Sequence, residues 1–144
     1  MTTETLLNEL TANLGVLYIK LHQHHFYVKG HHFYKLHQLF EDFYTEIHEQ
    51  FDEVAERLLM LGGKPVSTLG EFLALASIQE APYTVEKDET QMLTETVEDF
   101  ELIVSLLEKG IHLEGIDEVT QDLLIGLKAG YDKHLWMLRA TLGR

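Results

Sequence analysis

Four side chains in the middle of the sequence are spaced for metal binding. His37 and Glu41 are four residues apart, and so are Asp52 and Glu56, so within a helix each pair shares a face. Glu41 and Asp52 are separated by eleven residues, close to three whole turns, which puts both pairs on one stripe. That stripe runs beside an apolar one, where each buried carboxylate costs on the order of several kcal/mol unless a cation or a donor neutralises it. One helix cannot close such a site. The midpoints of the two pairs lie roughly 22 Å apart at ~1.5 Å of rise per residue, whereas a metal holds its ligands at ~2 Å. An antiparallel second copy across a two-fold axis removes the difficulty, because His37 and Glu41 of one chain then face Asp52 and Glu56 of the other. The spacing therefore predicts two equivalent sites per dimer, about 22 Å apart.

His25 is a further candidate ligand. It falls near the end of a preceding helical pattern, before Gly30, and helices joined by a short turn run antiparallel, so His25 and His37 are expected side by side. Two imidazoles with up to three carboxylates suit Fe(II), and suit Zn(II) or Mn(II) nearly as well. Bundles with a di-iron centre inside one subunit carry Glu-x-x-His motifs; no histidine here has an acid three residues before it. An intrasubunit centre of that kind is disfavoured.

The elements that must position these residues are helices. Apolar Leu6, Leu7, Leu10, Leu14, Leu17 and Leu21 recur at helical spacing, predicting a helix over 3–28 that Lys29-Gly30 ends. Leu36, Phe40, Phe43, Ile47, Phe51, Val54, Leu58 and Leu61 mark the buried stripe of a second over 33–61, closed by Gly62-Gly63. Two more are predicted over 89–110 and 117–142. The long connection between the second and third contains Ser67-Thr68, whose hydroxyls can cap a short extra helix. The expected fold is all-α: a ferritin-like four-helix bundle with a short helix in the crossover between helices 2 and 3, in one domain over residues 1–144.

Composition narrows the function. Eleven Lys and Arg against 24 Asp and Glu give a formal charge of −13, which repels nucleic acid and anionic membranes and attracts cations. No apolar run approaches a membrane span, and the acidic N-terminal segment is unlike a signal peptide. Cysteine is absent, which rules out thiolate ligands and a cysteine nucleophile, and agrees with a cytoplasmic location. Seven of the nine histidines fall between His22 and His48.

The stretch His25-Phe26-Tyr27-Val28-Lys29-Gly30, then Phe33, Leu36-His37, and Phe51-Asp52-Glu53-Val54-Ala55-Glu56-Arg57 resembles the signature of the Dps mini-ferritins. Asp132-Lys133-His134-Leu135-Trp136-Met137 is similar to that family's last helix. The resemblance covers nearly the whole chain. It implies a hollow homododecamer of tetrahedral symmetry that oxidises Fe(II), preferably with hydrogen peroxide, and stores the ferric mineral, protecting against oxidative stress. It implies a ferroxidase centre of His25, His37 and Glu41 from one subunit with Asp52 and Glu56 from its partner. Two positions depart from the family pattern: Phe26 stands where Trp is usual, and Glu41 where Asp is commoner.

Glu114, Glu118 and Asp122 recur every four residues. They read either as an acidic helix start favoured by the macrodipole or, by resemblance to acidic family pores, as the lining of an iron entry pore at a three-fold axis. The remaining histidines His22, His24, His31, His32 and His48 are expected at the surface or hydrogen-bonded, with His31 and His32 shaping the turn. Trp136 and Met137 are expected in core or interface packing. DNA binding is not expected. The first basic residue is Lys20, inside the first helix, and no Lys/Arg-rich tail or patch offsets the negative charge. Two other readings use the same residues: a metal buffer without redox turnover, and a helical oligomer with a structural role.

Overall fold

The computed structural model describes residues 1–144 and contains five helices and no strand: α1 (Thr3–Tyr27), α2 (Phe33–Met60), α3 (Leu69–Leu75), α4 (Glu89–Ile111) and α5 (Glu118–Thr141). The four long helices fall within two residues of their predicted limits, and the short one occupies the crossover. Four of the five starts are set by a side-chain cap that satisfies orphan amides, whereas α2 begins after His32 without one. Thr2 accepts from the Thr5 amide at α1. Thr68 and Glu71 make a reciprocal capping box at α3, as do Asp88 and Gln91 at α4. Asp117 accepts from Thr120 at α5. Arg57 near the end of α2 also donates to Asp117 at 2.9 Å, and these donors hold the carboxyl down at about pKa 2, the Thr120 bonds contributing most.

Helix α1 packs mainly on α2, and α4 on α5, with α1 also lying against α4 and α3. The core is one continuous cluster. It contains all six predicted leucines of α1, with Phe40, Phe43, Ile47, Val54 and Leu58 of α2, Val97, Phe100 and Ile103 of α4, and Leu124 and Leu135 of α5. Two predicted core positions of α2 are corrected. Leu61 caps the helix and is exposed, and Phe51 is only half-buried, edge-on to Phe72 of α3. Trp136 and Met137 are exposed too, so they take no part in the core of one chain.

Two asparagines on α1 tie down the crossover. Asn8 accepts from the Val66 amide and donates to the Lys64 carbonyl. Asn13, itself buried, accepts from the amides of Ser77 and Ile78, each at 2.9 Å. These bonds meet the demand that buried backbone groups be paired where no helix does it.

Candidate metal centre

The α1–α2 turn brings His25 and His37 together. Gly30 sits in it at φ +132°, a backbone region costly for any residue with a Cβ. A Cβ there would also lie 2.5 Å from Glu89, which accepts from the His32 amide. The two imidazoles stack with centroids 3.7 Å apart and planes 14° from parallel. Each is tied to the other's backbone: His25 Nδ1 lies 2.7 Å from the His37 carbonyl, and His37 Nδ1 lies 2.8 Å from the His25 carbonyl. A carbonyl oxygen only accepts, so both Nδ1 atoms carry protons and both Nε2 atoms keep a free lone pair. This is how metal-binding histidines are usually oriented by their surroundings. Phe33 stacks on the other side of His37 at 5.0 Å. Glu41, one turn on, places Oε1 3.9 Å from His25 Nε2.

Asp52 and Glu56 lie further along α2, both exposed. The negative charge of Asp52 raises the Glu56 carboxyl above the usual range, and a hydrogen bond between the two adds to this. Two carboxylates held this close favour a shared proton or a cation. The chain does not bring this pair to His25, His37 and Glu41, and no three His, Asp or Glu side chains within it converge on one metal position. Each chain therefore carries two separate groups of possible ligands, spaced along one helical stripe.

The predicted pore residues are all exposed. Glu114 precedes α5, in the turn at Gly115, while Glu118 and Asp122 occupy its first turns.

Three features around the histidine half escaped the sequence. Tyr44 stands edge-on to His25 at 5.3 Å and stacks against His22 at 3.7 Å, so aromatic rings wall one side. His24 is not at the surface: it is 1 % exposed, beside Phe40, with no hydrogen bond to either ring nitrogen. Burial pushes its pKa down to about 4, against a smaller opposing pull from Glu95. The Glu95 carboxylate lies 3.7 Å from the ring but is itself gripped by Lys87 at 2.8 Å. One turn earlier, Lys20 pairs with the buried Asp99 of α4 at 2.9 Å. Alternation with Leu21 and His25 could have signalled that His24 faces inward; nothing in the sequence announced the Lys20–Asp99 pair.

A family profile described as "Ferritin-like domain" matches residues 4–144. The chain is 50 % identical over 145 residues to the "DNA protection during starvation protein" of Listeria innocua, covering 99 % of this chain and 92 % of that protein. It is 44 % identical to "DNA protection during starvation protein 2" of Bacillus anthracis over 140 residues, covering 96 % and 94 %. In three dimensions it matches the X-ray structure of Dps from Listeria monocytogenes with a TM-score of 0.97 at 49 % identity, covering 100 % of this chain and 95 % of that one. Dps from Listeria innocua soaked with zinc matches at 0.95 and 49 % identity, covering 99 % and 97 %.

Proposed function

The chain belongs to the Dps family of ferritin-like proteins, and from that premise we propose that it is a cytoplasmic ferroxidase and iron store assembled as a homododecamer. Fe(II) enters as substrate. His25, His37 and Glu41 of one subunit bind it together with Asp52 and Glu56 of the partner subunit. Two Fe(II) ions give one electron each to hydrogen peroxide, which takes up two protons and leaves as two waters, and the ferric product is kept inside the shell. Hydroxyl-radical chemistry then loses both of its reactants.

The observation that carries this reading is the reciprocal clamp of His25 and His37. Two imidazoles are held side by side with the Glu41 carboxylate 3.9 Å from His25 Nε2, yet no three such groups within the chain converge on one metal position. A ligand set left incomplete in one chain and matched by a carboxylate pair about 22 Å along the same helix fits two copies better than one. Zn(II) and Mn(II) suit the same mixed nitrogen and oxygen donors, and a relative of this chain has been soaked with zinc. The name of the relatives speaks of DNA protection; with −13 charges per chain, protection here proceeds through iron chemistry and not through contact with DNA. No helix is long and apolar enough to cross a membrane.

The test is anaerobic Fe(II) oxidation on adding hydrogen peroxide, comparing the native protein with Asp52→Ala. Rapid oxidation that drops at least about tenfold in the variant, with the oligomer intact, supports the shared ferroxidase. Equal rates, or rates no faster than protein-free buffer, contradict it and favour a metal buffer or a structural oligomer.

A further inference from the structure

The crowded histidine segment holds more imidazoles than the iron site uses. Two of them, His22 and His48, flank the ring of Tyr18: His22 is stacked on it at 4.6 Å and His48 is edge-on at 5.7 Å. His22 also stacks on Tyr44 at 3.7 Å. Its Nδ1–H donates to the Tyr18 carbonyl at 2.8 Å, so it presents a free Nε2 lone pair in the same manner as His25 and His37. His48 is exposed and stands one turn before Asp52, on the stripe that joins the two half-sites.

The dimer proposed above fixes where these rings meet. Pairing His37 and Glu41 with Asp52 and Glu56 of the partner subunit centres the antiparallel contact between Glu46 and Ile47. His48 is then about 2 Å from the two-fold axis along α2, and the two copies of it are offset by roughly 4.5 Å. His22, level with Tyr44, lies about 4 Å from the centre on the same scale. Measured along α2, four imidazoles, two from each subunit, thus fall within about 4 Å of the axis, between the two iron sites and beside Tyr18 and Tyr44.

We propose that His22 and His48 of both subunits form a third metal site in each dimer, on the two-fold axis, for a nitrogen-preferring divalent ion of the Cu(II) class. The inference rests on the two-fold dimer of the proposed function. An all-imidazole donor set differs from the carboxylate-rich iron sites, and for such donors Cu(II) stands at the top of the affinity order. The chain's negative charge draws cations to the surface, and the aromatic walls limit competition from water.

Cu(II) is titrated into the assembled, iron-free Asp52→Ala protein, with calorimetry for stoichiometry and electron paramagnetic resonance for the donors. The expected result is a class of about one Cu(II) per dimer showing splitting from several nitrogens. Adding His48→Ala abolishes this class, and adding His22→Gln instead weakens it at least about tenfold. An unchanged copper count and spectrum after His48→Ala overturns the site. His48→Ala in the otherwise native protein keeps iron oxidation at the native rate. If copper binding is indifferent to His48 while that assembly oxidises iron normally, this site alone fails. If native mass spectrometry finds only monomer, the dimer fails and the axial site with it.

Discussion

Replacing His24 by leucine removes a buried imidazole that has no hydrogen-bonding partner, and the consequence depends on pH. In the folded chain burial holds the His24 pKa at about 4, against 6.5 when unperturbed. The unfolded chain therefore takes up a proton that the folded chain refuses. A depressed histidine pKa gives stability that is fully present above about pH 6.5 and is lost as pH falls toward 4. By linkage the loss between pH 8 and pH 4.5 is about 2–3 kcal/mol per subunit. His24→Leu removes that slope. At pH 8 it also relieves the burial of unpaired nitrogens, which stabilises by about 1–3 kcal/mol, since leucine suits a site beside Phe40. Urea unfolding of iron-free native and variant proteins, at equal concentration and several pH values, measures both effects. Other groups titrate in both proteins and cancel in the comparison. Parallel stability-versus-pH curves, or a variant less stable at pH 8, would refute the assignment of His24 as a buried neutral imidazole.

Gly30→Ala strains the α1–α2 turn by about 1–2 kcal/mol and presses on Glu89; thermal unfolding should register the loss, and Fe(II) affinity should fall as the His25–His37 clamp loosens. Lys20→Met strands buried Asp99 and should cost about 3–5 kcal/mol, whereas Lys20→Met with Asp99→Leu should restore stability to near the native value; urea unfolding of the single and double variants decides. The assembled protein should not retard duplex DNA in a gel even at low salt, where electrostatic binding is strongest; retardation at low salt that disappears at higher salt would reveal a cationic surface absent from the sequence.

The bundle was legible because its signals are local and redundant. Six leucines at helical spacing marked α1, and glycines at its end and at the end of α2 fixed the turns. The Thr68 hydroxyl announced α3. What escaped depends on partners far away in the sequence. The partner of Asn13 is the backbone near Ile78, and the partner of Lys20 is Asp99. Leu61 matched the apolar period of α2, but the helix ends there and the side chain faces solvent. His24 is expected at the surface or hydrogen-bonded because histidine has no strong preference for the interior, and the structure leaves it buried without a partner. In the candidate site, the spacing of His37, Glu41, Asp52 and Glu56 gave the stripe, and the short turn placed His25 beside His37. The reciprocal bonds that fix both tautomers involve backbone carbonyls, to which a residue pattern is blind.

If the iron site is shared between subunits, two inactive proteins with defects in different halves of it should complement each other when mixed. His37→Ala lacks one half of the site and Asp52→Ala lacks the other, so each alone should be inactive. When equal amounts are unfolded together and reassembled, about half the dimers contain one chain of each kind, and each of those has one intact site of two. Peroxide-dependent Fe(II) oxidation should return to about a quarter of the native rate. A mixture as inactive as its components, though native mass spectrometry shows mixed assemblies, would contradict the shared site.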